Sequence, residues 1–236
     1  MLVPFAIHRE VVTQSAHGVS RDHQDQPETT HSERRGIGRR QGPDNGHQEP
    51  HRRHHGQQRL HVPLNRQPAR AYDERLLVEF CEAVDQVGVP VVFRIKHTFH
   101  SYLVGNILDL GPSGVEVPQT ETERTAQEAV DCFYYPQVGK RSWGGDARAN
   151  IKDHPDRLEY ADYWNNFGVL WLQIESLSAV TRAKALAKPG VDCLSWGPND
   201  LQFNIEANPE HPLKTDDDCI RHVVKLLVDT DTKLCI

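Results

Sequence analysis

From residue 71 onward, short runs of β-branched and apolar residues alternate with longer segments of helical period, and this alternation restricts the fold more than any other feature. "VPVVFRI", "GVEVP", "VLWLQIE", "VDCLSW" and "KLCI" read as strands. Between them lie segments with apolar residues at helical spacing, such as "YDERLLVEFCEAVDQVG", in which Leu76, Leu77, Phe80, Cys81, Val84 and Val87 share a face and Gly88 ends the pattern. "SYLVGNILDLG" reads as a helix stopped by Gly111, and "TETERTAQEAVDCFYYP" as one opened by a Thr cap. "HPDRLEYADYWNNFG" is helical, "SLSAVTRAKALAKPG" is one helix with a Ser cap, "GPNDL" is a turn, and "TDDDCIRHVVKLLVDT" is a helix with three acids at its start. Strands alternating with helices in this way build a parallel sheet, either doubly wound or closed as a (β/α)8 barrel.

A closed barrel needs eight strands and typically about 250 residues. Five strands follow residue 71, and "QRLHVPL" (58–64) alternates weakly enough to add one more. Read as an α/β fold of the (β/α)8 TIM-barrel type, the chain would be incomplete, with atypical N-terminal strands and no last strand, and the doubly wound alternative stays open at this point. Composition divides the chain at the same place. Between Thr13 and Arg59 the only large apolar residues are Val19 and Ile37. Residues 1–70 carry 11 Arg, no Lys and seven acids, a formal +4, against −10 for the remainder and −6 overall. The expected organisation is a His/Arg-rich, largely disordered segment at 1–70 and an acidic α/β domain at 71–236.

In parallel α/β folds chemistry gathers at the C-terminal ends of strands. Those ends carry Arg94, Glu116, Glu175 and Asp200. Side chains alternate along a strand, so Val169, Trp171, Gln173 and Glu175 share one face, which grows more polar toward its C-terminal end. Two acids on neighbouring strand tops can hold a hard divalent cation through oxygen. The plainer alternative has Glu175 capping the following helix, Asp200 capping the turn at Leu201, and Arg94 in an ordinary salt bridge. As a functional residue Arg94 would grip a substrate carboxylate with its fork of donors.

"RIKH…ILDLGPSGVEVPQTETERTAQEAV…YYPQVGKRSWGG" and "VLWLQIESLSAV…PGVDCLSWGPNDL…NPEHP" resemble the HpcH/HpaI aldolase family from about Tyr72 to Ile236. The resemblance implies a (β/α)8 barrel, a hexameric homo-oligomer, and metal-dependent class II aldolase chemistry on 2-keto-3-deoxy and related 4-hydroxy-2-keto acids. It implies that Glu175 and Asp200 bind the metal (Mg²⁺, Mn²⁺ or Co²⁺) and that Arg94 binds the carboxylate of pyruvate. Gln173, Gly197 and Pro198 would line the bound ketoacid, and Asp109 in "ILDLG" matches the acid that partners the family's catalytic His. Asn199 stands where Ala is usual. The products would be a pyruvate-type ketoacid and an aldehyde.

The family's basic His belongs to an "E-H-G" stretch that this chain replaces by "RLHVPLNRQPARAYDERLL". His61, His97 and His100 are the nearby candidates, and Asp109 is expected to stand unpaired. The chain as written is therefore expected to be a weak or inactive lyase. Two rivals remain open: a barrel fragment without catalysis, and an interaction protein acting through its basic arm. Residues 1–70 read either as an out-of-frame translation of the family's N-terminal region or as a genuine arm. "HRRHH" (51–55) lacks tetrahedral metal spacing, and Arg without interleaved aromatics argues against nucleic acid. Five cysteines with no C-x-x-C pair read as free thiols of a reducing, cytoplasmic compartment. No apolar run approaches the ~20 residues of a membrane span.

Overall fold

The computed structural model describes the backbone of Leu60–His61 and residues 74–236. The expectations for 1–59 and for a boundary at residue 70 lie outside the described residues. Six strands form one parallel sheet: β1 (Leu60–His61), β2 (Val91–Arg94), β3 (Gly114–Val117), β4 (Val169–Ile174), β5 (Cys193–Trp196) and β6 (Lys233–Cys235). Each strand pairs with its neighbour in the chain, so spatial order equals sequence order. The weak "QRLHVPL" signal yields two strand residues, Leu60 opposite Val91 and His61 opposite Val92.

The helices are α1 (Glu74–Asp85), α2 (Val104–Leu108) behind a 3-10 segment (Thr98–Leu103), α3 (Glu123–Phe133), α4 (Arg157–Phe167), α5 (Leu177–Thr181), α6 (Ala183–Leu186), α7 (Pro198–Ala207) and α8 (Asp216–Leu227). Right-handed crossovers between strands in unbroken order bring every helix to the same side of the sheet. A doubly wound sheet would need a reversal of strand order, and none occurs among the described strands. The sheet is therefore the wall of a (β/α)8-type barrel.

The core lies between the sheet's outer face and the helices. Val115, Val117, Leu170, Leu172, Ile174, Leu194 and Trp196 point outward into it and meet Ala126, Phe133, Val180, Leu186, Leu201 and Val223. Phe93 and Val91 do the same against Leu77 and Cys81 of α1. Alternation sends the intervening residues inward, and these carry the polar groups. Helix starts follow the sequence: Thr122 accepts from the Thr125 N–H, Ser176 from the Ala179 N–H, and Thr215 forms a capping box with Asp218. Each such cap is worth about 1 kcal/mol.

Three expectations need correction. "GPNDL" is the start of a helix: Pro198 occupies its first turn, where a missing N–H costs nothing, and Leu201 and Ile205 bury the next two turns. The single helix expected after Ser176 is broken at Arg182 into α5 and α6. Beside the break the Thr181 hydroxyl donates back to the carbonyls of Leu177 and Ser178, both at 3.0 Å, a contact that bends helices. The cysteines are not all free. Cys193 and Cys235 face inward from adjacent strands, with β5 and β6 pairing Cys193 with Lys233 and Ser195 with Cys235. That diagonal brings their Cα atoms to 6.2 Å in a disulfide, while Cys81, Cys132 and Cys219 are free.

The inward face tolerates little bulk at its base. A Cβ on Gly114 would lie 2.4 Å from the Val169 carbonyl oxygen of the neighbouring strand. Gly114→Ala should therefore force β3 and β4 apart and cost about 1–3 kcal/mol of stability. Urea denaturation measures this, and an unchanged midpoint would mean that the two strands spread without penalty.

Candidate active site

The polar groups collect where β2 to β5 end. Arg94 closes β2, inward and partly buried, and both its Nε and Nη2 donate to Gln173 Oε1, at 2.9 and 2.7 Å. Its guanidinium also lies between two acids: Nη2 is 3.6 Å from Glu175 Oε1, and Nε is 4.0 Å from Glu116 Oε2. Glu116 is buried at 3% exposure and accepts a hydrogen bond from the Ser195 hydroxyl through its other oxygen. All five side chains leave the sheet on the same face because they occupy alternate positions of their strands.

Glu175 sits one residue beyond β4 and is 7% exposed. Its Oε1 accepts from the backbone N–H of Gln119 at 2.9 Å. Gln119 adopts φ 45°, and this left-handed turn after β3 aims its N–H at the carboxylate. Asp200, in the first turn of α7, is near enough for its charge to act on Glu175. Burial pushes the Glu175 carboxyl up to about 7, against the pull of Arg94 and with further help from the Asp200 charge. Gly197 makes the approach sterically feasible, since a Cβ there would lie 2.5 Å from Glu175 Cβ and 2.7 Å from Oε2.

Two neighbouring carboxylates, Glu175 buried and Asp200 half-buried, have the donor chemistry of a hard divalent cation. Among the described residues no third His, Cys, Asp or Glu completes an all-protein cage. An ion held by two carboxylates keeps its remaining positions for water and a chelating ligand, as Mg²⁺ sites commonly do. The residues present therefore fit the cation that the sequence implied.

Of the anticipated site residues, Arg94, Gln173, Glu175, Gly197 and Asp200 come together, with Pro198 at the start of α7 beside them. Gln173 meets Arg94 directly, a contact that strand alternation alone did not specify. Asp109 differs from expectation, because it is not unpaired. Arg141 Nη2 donates to its Oδ1 at 2.7 Å, and burial raises its carboxyl above the ordinary range despite that partner. Arg141 is itself held over the rings of Tyr135 and Trp164. His97 caps the 3-10 segment, accepting the Phe99 N–H on Nδ1, and His100 is exposed in the same segment. His61 lies in β1. Sequence reading missed the Gln119 N–H, whose only signal was its place between Pro118 and a strand-tying Thr120. Glu116 stands in the sequence as a strand-end acid with no role evident from its position.

The Glu175 carboxyl gives a pH dependence. Its folded-state value near 7 lies above the ordinary 4.5, so between these pH values the folded protein keeps a proton that the unfolded chain has released. In chelator-treated protein this group should cost stability progressively as pH rises from about 4.5 to about 7, with no further change above. Glu175→Gln should gain on wild type over that window. Parallel stability–pH curves for the two proteins would remove Glu175 as a buried acid with a raised carboxyl.

The chain and its fold have counterparts among known proteins. The HpcH/HpaI aldolase/citrate lyase model matches residues 67–223. The 2-dehydro-3,6-dideoxy-6-sulfogluconate aldolase of Pseudomonas putida is 30% identical over 155 residues, covering 64% of this chain and 56% of the relative. The 5-keto-4-deoxy-D-glucarate aldolase of Shigella boydii is 33% identical over 131 residues, 53% of this chain and 48% of the relative. The crystal structure of an HpcH/HpaI aldolase from Desulfitobacterium hafniense superposes with a TM-score of 0.59 at 26% identity, covering 70% of this chain and 63% of the other. The chain spans about half the length of the curated relatives it matches. With the match extending over most of its length, on a parallel sheet with acids at the strand ends, the chain belongs to the HpcH/HpaI aldolase/citrate lyase family.

Proposed function

We propose that the chain carries the ketoacid half-site of a divalent-metal-dependent carbon–carbon lyase for 4-hydroxy-2-keto acids, yielding a pyruvate-type ketoacid and an aldehyde. The observation that carries this reading is the pairing of Glu175 with Asp200 beside the Arg94 guanidinium. Relatives named as sulfogluconate, glucarate and hydroxypyruvate/pyruvate aldolases support the same class of substrate.

Glu175 and Asp200 would hold Mg²⁺, Mn²⁺ or Co²⁺. When bound, the ion supplies Lewis-acid stabilisation of the negative charge that develops on the keto oxygen as the C–C bond breaks. Arg94 presents Nη1 and Nη2 to the ketoacid carboxylate, since Gln173 occupies Nε and the other side of Nη2. The Gly197–Pro198 backbone forms the wall beside the ketoacid, and Gln173 fixes Arg94 there. Glu175 is kept from swinging away by the Gln119 N–H.

His97 is engaged as a cap and Asp109 is paired with Arg141, so neither supplies proton transfer in this arrangement. A positioned base is typically worth about 10²–10⁴-fold, and slow turnover follows from its replacement. The cytoplasmic setting and the hexamer form part of this proposal through the family alone.

Manganese titration by calorimetry tests the metal half. Glu175→Gln and Asp200→Asn should each abolish binding, because a neutral amide is a poor ligand for a hard cation. Unchanged affinity in both variants would refute the assignment. Arg94→Lys should lose oxalate and pyruvate binding, since an ammonium cannot give two parallel hydrogen bonds to one carboxylate. Equal oxalate affinity in the two proteins would make Arg94 a structural residue. Pyruvate release from 4-hydroxy-2-keto acids with each metal is expected at slow rates, and release at ordinary aldolase rates would require a base within this chain.

A further inference from the structure

We propose that Glu116 is a positioning residue, and that the pair Ser195–Glu116 sets the plane in which Arg94 meets a substrate carboxylate. The inference rests on the ketoacid reading of the site. Glu116 is the residue opposite Arg94 in the β2–β3 register, and it points inward at 3% exposure. A carboxylate in such a place is costly unless cations and hydrogen-bond donors meet it. Among its partners are the Ser195 hydroxyl on Oε1 and the Arg94 Nε side, 4.0 Å from Oε2.

Ser195 belongs to β5 and Glu116 to β3, so the carboxylate reaches across β4 to be held. That hold limits its rotation. Arg94 is then fixed along one edge by Gln173, which takes Nε and Nη2, and by the Glu116 charge behind Nε. No described hydrogen bond uses Nη1. The edge formed by Nη1 and Nη2 is thus the one left to take a carboxylate in two parallel bonds. A neutral or apolar residue at 116 would remove the charge behind Nε and leave the guanidinium held by Gln173 and drawn toward Glu175, 3.6 Å from Nη2.

Two measurements on the full chain test this, with Glu116→Gln, Ser195→Ala and the double variant. The first is nitrogen-15 NMR of the Arg94 Nε–H, identified by its loss in Arg94→Lys. The second is oxalate affinity with manganese present. Each single variant should speed solvent exchange of the Nε–H and weaken oxalate roughly two- to tenfold, the worth of about one net hydrogen bond. The double variant should be no worse than Glu116→Gln, because the two residues act through one contact. Ser195→Ala should lower the thermal midpoint, since it removes a donor from a buried carboxylate, and both readouts are therefore taken at a temperature where circular dichroism shows every variant folded, which separates positioning from loss of fold.

An Nε–H unchanged in Glu116→Gln, or oxalate losses that add in the double variant, would overturn the proposal. Should Glu116→Gln fold poorly, Ser195→Ala decides alone, with unchanged exchange and affinity counting against the relay. A wild type that binds no oxalate would refute the ketoacid reading, while Nε–H exchange would still report whether Glu116 and Ser195 brace Arg94.

Discussion

The charge of Asp200 acts against that of the buried Glu175, and the mouth of the sheet is arranged around that repulsion. Arg94 stands on one side, the Gln119 N–H holds one oxygen, and Gly197 lacks the Cβ that would push the carboxylates apart. Burial still prevails, and Glu175 is driven up to about 7. An arrangement that only stabilised the fold would have separated the two acids or given each its own cation. A divalent cation answers both charges at once.

The register of the sheet delivers these groups. Parallel strands in chain order send every second side chain inward, so Arg94, Glu116, Gln173, Glu175 and Ser195 converge although they are distant in sequence. The outward set is almost wholly aliphatic or aromatic and seals the helices to the sheet. Polarity on one face and packing on the other belong to one alternation. A one-residue slip would exchange them, and that penalty makes the register well defined.

Much of this was legible in the residues because it is local. Strand and helix limits followed from hydrophobic period, caps from Thr122, Ser176 and Thr215, and the strand-end acids from their position alone. The errors arose where a distant partner decides. Arg141 reaches Asp109 from a loop 32 residues on, so the acid looked unpaired in sequence. Cys193 and Cys235 meet only because β5 and β6 are adjacent, 42 residues apart in the chain. The α7 helix was mistaken for a turn because Gly-Pro-Asn-Asp carries turn chemistry, while the burial of Leu201 and Ile205 that extends it lies beyond those four residues. Glu116 was visible as an acid, but its function depends on Ser195 two strands away.

The central claim is that Glu175 and Asp200 are two ligands of one cation. Diffraction at the manganese absorption edge, from crystals of the full chain soaked in MnCl₂, tests it most directly. The account predicts one anomalous peak between the two carboxylates, within coordinating distance of an oxygen from each, and its absence from crystals of Glu175→Gln. A peak elsewhere, or none at this pair while manganese occupies other sites, would contradict it.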